Sequence, residues 1–120
     1  MPDANLDIAL KSSVFGAVGT CGQRCTSLRR LYIHEDIFDS FVEKMVKAYS
    51  TIKIDDPLLD GTLCGPLNNQ KSVDMYLNTI ETVKKEGGKI LCGGKRIDRK
   101  GFFVEPTIVH APQNAAYLQE

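Results

Sequence analysis

From Ile37 to Ile52 the apolar residues Ile37, Phe38, Phe41, Val42, Met45, Ala48, Tyr49 and Ile52 recur three and four positions apart. That spacing lays them along one broad stripe of a helix. Glu35 and Asp36, just before it, put negative charge at the helix's positive end. Such a helix has to bury its stripe against another layer, so the flanking segments decide the fold. Upstream, Leu28-Arg-Arg-Leu-Tyr-Ile-His34 is rich in β-formers and predicts a strand. Downstream, Asp55 to Pro66 carries two prolines and two glycines and predicts a loop.

Both ends of the chain add to this pattern. Asp3 or Asn5 can cap a helix bearing Leu6, Leu10, Val14, Ala17 and Val18 at helical spacing. Gly16, Gly19 and Gly22 loosen it progressively, which predicts an end near Thr20 to Gln23. Asn68 or Asn69 opens a third helix, with Val73, Tyr76, Leu77, Ile80 and Val83 facing inward. Lys84 and Lys85 suit its negative end and Gly87-Gly88 stops it. Lys89–Cys92 predicts a short strand, and Phe102–Val109 a kinked or edge strand with Pro106 inside it. The alternation gives an α/β fold: layered, with a largely parallel sheet and flanking helices. At 120 residues the chain fits one domain at most, and 42% apolar residues suffice for a core.

Fifteen basic and fifteen acidic residues cancel without a long run of either sign. A nucleic-acid or anionic-membrane partner held by bulk charge is therefore not expected. No apolar run approaches the roughly 20 residues of a membrane span. The polar, acidic start MPDANLDIAL does not read as a secretion signal. Cys21, Cys25, Cys64 and Cys92 are accordingly expected as reduced thiols of an intracellular protein, cytoplasmic or of the mitochondrial matrix.

Residues 18–27, VGTCGQRCTS, concentrate the chemistry. Gly16, Gly19 and Gly22 do not follow the dinucleotide spacing G-x-G-x-x-G, and they close a helix where the fingerprint opens one. A helix end exposes carbonyls, not the N–H groups a pyrophosphate needs. A metal would require three or four converging ligands, whereas Cys21 and Cys25 stand four apart and His34 and His110 lie far from them, so no metal site is expected. A redox dithiol prefers CxxC. Cys21, Cys64 and Cys92 read as small buried apolar side chains, and His34 and His110 as structural or exposed. Cys25 differs. It follows a loosened helix end, with Arg24 adjacent to favour the thiolate, while Gly22 lets a ligand approach the backbone. Its N–H can point at a developing oxyanion. Residue types alone leave Cys25 open between a reactive and a structural thiol.

The segment FGAVGTCGQRCT (15–26) contains Gly22-Gln23-Arg24-Cys25, which resembles the nucleophile motif G-Q-x-C of the aldehyde dehydrogenase superfamily. The resemblance extends along the whole chain. Asp3-Ala-Asn-Leu-Asp-Ile-Ala is similar to the family's helix start, and Leu28–Glu35 to its strand after the cysteine. Cys64-Gly-Pro-Leu67, Lys85-Glu-Gly-Gly88, Gly93-Gly94 and Phe103-Val-Glu-Pro-Thr-Ile-Val109 follow in the family's order. GQRCT with RRLYIHE and FVEPTIV resembles the antiquitin, or α-aminoadipic semialdehyde dehydrogenase, branch. Ser27 departs modestly from the superfamily's pattern.

The resemblance implies NAD(P)-dependent oxidation of an aldehyde, an amino-acid-derived semialdehyde, to a carboxylate. Cys25 would attack the carbonyl to give a thiohemiacetal, hydride would leave to the nicotinamide, and the thioester would be hydrolysed. It makes Arg24 a substrate-binding candidate for a carboxylate, beside the plainer reading of a solvated or pKa-lowering charge. The partners it implies are a small-molecule aldehyde and, in the full-length protein, further copies in a homo-oligomer. The family's dinucleotide segment, its water-activating glutamate and its oxyanion amide are expected upstream. Its E-x-F-G-P motif is expected downstream, with Glu120 at or next to that glutamate and left unassigned. NAD or NADP would thus be bound mainly by other segments. Residues 1–120 are expected to be the nucleophile-bearing part of a catalytic domain, ending at Asn114–Glu120 as if cut, with cofactor-binding and oligomerisation segments absent. A truncated module without activity is the alternative.

Overall fold

A computed structural model describes residues 1–112, 115 and 118. The chain divides into two compact units, Met1–Cys64 and Gly65–Glu120.

The first unit holds helices α1 (Leu6–Val18) and α2 (Glu35–Ser50), which pack on each other. Asn5 caps α1: its side-chain oxygen accepts from the Ile8 N–H at 3.1 Å. That supplies one of the donors a helix start leaves unpaired with its acceptor. The α2 stripe lies where its spacing predicts, with Phe41 and Met45 buried and Ile37, Phe38, Val42 and Tyr49 half-buried. Its N-cap is His34, whose Nδ1 accepts from the Asp36 N–H at 3.3 Å, so the predicted structural role of this histidine is helix initiation. The 55–66 segment is a loop; a parallel bridge pairs Ile54 with Cys64, and Cys64 is wholly buried.

Leu28–His34 does not form the predicted strand. It has no regular secondary structure and is mostly exposed, with Tyr32 91% exposed. Its β-formers supply propensity, but a strand exists only through a ladder, and none of the described residues runs beside it.

In the second unit, α3 (Gln70–Lys85) starts at Asn69, which accepts from the Ser72 N–H at 2.9 Å. It buries Val73, Ile80 and Val83 and packs on β1 (Lys89–Cys92). β1 pairs antiparallel with β2 (Ile108–His110): Lys89 faces His110, Ile90 faces Val109, and a bulge shifts Cys92 opposite Ile108. His110, at the end of β2, is exposed. Pro106 lies just outside β2, as its missing N–H requires. The mixed helix-and-strand class therefore holds, but the expected largely parallel sheet is not formed among the described residues. Their sheet is the antiparallel pair, and parallel pairing is confined to the Ile54–Cys64 bridge. Alternation along a sequence tells which segments extend, not which of them become neighbours.

A polar tie fixes the crossing from β1 to β2. The Tyr76 hydroxyl on α3 lies 2.9 Å from the Glu105 carbonyl and 2.7 Å from Thr107 Oγ1. The Gly94 N–H donates to the same Thr107 oxygen at 2.9 Å. At Gly93, φ is +74° and an added Cβ would collide with the Pro106 carbonyl, so this close approach needs glycine. Ile80→Ala is expected to cost about 2–5 kcal/mol in urea unfolding. Met75→Ala, on the exposed face of the same helix, should stay within about 0.5 kcal/mol. Equal costs would contradict this packing.

Candidate active site

The end of α1 is shaped by the residues beyond it. The Gly19 N–H bonds back to the Phe15 carbonyl and closes the helix. Gly19–Gly22 then forms a single 3₁₀-like turn, so the α-helix ends at Val18, just short of the Thr20–Gln23 span where glycine loosening predicted it. Thr20 (φ 54°), Cys21 (φ 55°) and Gly22 (φ 69°) are all left-handed. Only glycine takes that conformation without cost; for β-branched Thr20 it is a genuine outlier. The Thr20 carbonyl accepts from the Gln23 N–H at 3.1 Å and from Gln23 Nε2 at 3.3 Å, which holds the turn.

A β-turn comes immediately after. The Ser27 N–H donates to the Arg24 carbonyl and the Arg24 N–H donates to Ser27 Oγ, both at 3.1 Å. Cys25 therefore occupies the first corner of the Arg24–Ser27 turn, where the backbone N–H is not used by the turn itself. The residue is exposed, and among the described residues its N–H has no acceptor. Ser27, noted in the sequence only as a departure from pattern, thus fixes the turn that presents the thiol. A hydroxyl three residues after Arg24 was the available signal.

The Arg24 side chain returns to α1. Its Nη2 donates to the Phe15 carbonyl at 2.9 Å and its guanidinium lies over the Phe15 ring, 5.0 Å from the centroid. A Cβ at Gly19 would collide with that nitrogen, so the glycine makes room for the arginine. Its Nε is buried without a hydrogen-bond partner among the described residues. Arg29 reaches the Gly22 carbonyl at 3.4 Å, and the Leu28 N–H meets the Gly16 carbonyl at 2.9 Å.

The other thiols divide in a way the sequence did not show. Cys64 is fully buried, as expected. Cys21 is half-exposed and hydrogen-bonded to Cys64. Accepting that bond holds the Cys21 thiol below its usual range, whereas donating it, together with burial, pushes Cys64 up. Burial also raises Cys92, half-buried in β1. No group of three or more His, Cys, Asp or Glu side chains among the described residues could hold a metal. Residues 16–22 offer no dinucleotide cradle, because they terminate a helix and its outward groups are carbonyls. Glu120, left unassigned in the sequence, lies outside the described residues.

The chain matches the model of the aldehyde dehydrogenase family over residues 1–120. It belongs to the aldehyde dehydrogenase family. It is 48% identical over 120 residues to "Aldehyde dehydrogenase family 7 member A1" of Malus domestica, covering all of this chain and 24% of the relative. It is 49% identical over 107 residues to "Alpha-aminoadipic semialdehyde dehydrogenase" of Bos taurus, covering 89% and 20%. An NAD+ complex of an aldehyde dehydrogenase from Bacillus cereus superposes with a TM-score of 0.94 at 30% identity, over all of this chain and 25% of that one. This family member thus has an α/β fold, and it spans about a quarter of the length of the relatives it matches.

The Arg24 contacts make a measurable claim. Arg24→Ala is expected to lower stability by about 1–3 kcal/mol, through a lost charged hydrogen bond and ring contact. Exposed Arg30→Ala should change it by less than about 0.5 kcal/mol. Urea titration of both distinguishes a structural tie from a solvated charge.

Proposed function

We propose that this chain is the nucleophile-bearing part of an NAD(P)-dependent aldehyde dehydrogenase of the intracellular compartments, acting on an amino-acid-derived semialdehyde. The observation that carries this reading is the exposed Cys25 at the corner of the Arg24–Ser27 turn, in a chain whose family oxidises aldehydes. A thiol so presented can attack a carbonyl carbon, forming an S–C bond while the carbonyl oxygen takes up negative charge. The Cys25 N–H, without an acceptor among the described residues, suits that oxygen. Loss of hydride from the adduct leaves a thioester, which water hydrolyses readily. A bound nicotinamide would supply the hydride acceptor. Residues 16–22 close a helix and present carbonyls rather than N–H groups, which supports assigning its binding to other segments of the protein.

For Arg24 the geometry supports a positioning role: the Phe15 contacts anchor the residue that precedes the nucleophile. A carboxylate contact would require the guanidinium to leave Phe15. Support for the semialdehyde comes from the relatives named for that substrate, which is why it is a proposal for this chain. A second reading, a truncated module without activity, is favoured by exposed Ile8, Phe15 and Leu58. It predicts that no longer protein carries this segment.

In the full-length protein Cys25→Ser is expected to lower NADH formation from an aldehyde at least about 1,000-fold while leaving the unfolding midpoint unchanged. Activity within about tenfold of the parent would remove Cys25 from the chemistry. A limiting electrophile near neutral pH should alkylate Cys25 before Cys64 and Cys92, whose thiols are held protonated. Peptide mapping that found either of those two modified first would overturn the assignment. The 120 residues by themselves should form no NADH from an aldehyde.

A further inference from the structure

Cys21 and Cys64, 43 positions apart in the chain, lie against each other in the first unit. Cys21 sits in the left-handed turn after α1, and Cys64 ends the loop that returns to Ile54. Both backbones are held. The Thr20 carbonyl ties the turn to Gln23, while the Cys64 N–H donates to the Lys53 carbonyl at 3.3 Å and its carbonyl accepts from the Asp55 N–H at 3.1 Å. The two thiols are in hydrogen-bond contact, with Cys64 completely shielded and Cys21 half-open to solvent. Of the two, only Cys21 presents surface to an oxidant in solution.

We propose that Cys21 and Cys64 are an oxidisable dithiol, which a hydroperoxide converts into a disulfide tying the turn that precedes Cys25 to the 55–64 loop. The Cys21 sulfur attacks the terminal peroxide oxygen and the O–O bond breaks. The departing oxygen takes a proton and leaves as an alcohol, or as water from hydrogen peroxide, and Cys21 becomes a sulfenic acid. The Cys64 sulfur then attacks the Cys21 sulfur. An S–S bond forms, the S–O bond breaks, and the hydroxyl leaves with the Cys64 proton as water. The two sulfurs together lose two electrons and the peroxide gains them. Stabilisation of the Cys21 thiolate by the Cys64 S–H favours the first step. The second needs the sulfurs to close from contact to about 2 Å, a movement that the strained Thr20–Cys21 backbone can share.

Trypsin separates all four cysteines, because it cuts after Lys11, Arg24, Arg29, Lys53, Lys71, Lys89 and Lys95. The full-length protein, reduced and then treated with a small excess of hydrogen peroxide, is alkylated in denaturant without reductant and mapped by mass spectrometry. The expected result is a cross-link between peptides 12–24 and 54–71, with their alkylated forms disappearing in equal proportion and returning after dithiothreitol. A 12–24 to 25–29 cross-link would mean that Cys25 is the partner of Cys21 and would overturn the proposal. So would a Cys21 sulfinic acid accompanied by fully alkylatable Cys64, or no cross-link at all. In Cys64→Ser, Cys21 should accumulate as a sulfenic acid trapped by dimedone; its absence counts against the first step. Should that variant not fold, Cys21→Ser must leave Cys64 uncross-linked and alkylated only after denaturation. None of these readouts depends on catalysis, so the dithiol and the role of Cys25 stand or fall separately.

Discussion

The Phe15 carbonyl accepts twice, from the Gly19 N–H that closes α1 and from the guanidinium of Arg24 nine residues on. A helix end ordinarily leaves its last carbonyls to water or to a glycine-based cap. Here a charged side chain from beyond the turn returns to the helix, so the intervening residues have to loop tightly. Three successive left-handed residues achieve this. The exposure of Cys25 depends on that loop, because the residue anchoring it, Arg24, is also the first residue of the turn whose corner Cys25 occupies.

Strain and glycine divide the labour in this loop. Gly19 is needed for space, since the arginine occupies the position of a Cβ. Gly22 is needed for its backbone, at φ +69° and with the Ala17 carbonyl 3.3 Å from where a Cβ would stand. Thr20 and Cys21 have neither excuse and hold unfavourable angles that the surrounding hydrogen bonds compensate. Non-glycine residues in this conformation persist only where tertiary contacts over-determine them, and such places tend to be functional. In Cys21 that conformation coincides with a contact to the buried Cys64.

Much of the fold was legible along the chain. The stripes of α2 and α3, the asparagine caps, the proline-rich loop and the pause at Gly87-Gly88 are local signals, and each is honoured by local physics: periodicity, capping, backbone freedom. Leu28–His34 was misread for the opposite reason. Strand formers need a neighbour, and neighbours are not a local property. The antiparallel pairing of β1 and β2 is not local either: it joins Lys89 to His110 and Ile90 to Val109, and the Tyr76–Thr107 tie beside it joins residues 31 positions apart.

The site divides along the same line. Order and spacing of motifs determined the family and singled out Cys25, because both are written in the chain's linear chemistry. Where Arg24 sends its charge, which hydroxyl steadies the turn, and that Cys21 finds Cys64 were decided only by folding. Each is a contact between side chains whose approach depends on backbone angles that no window of sequence specifies.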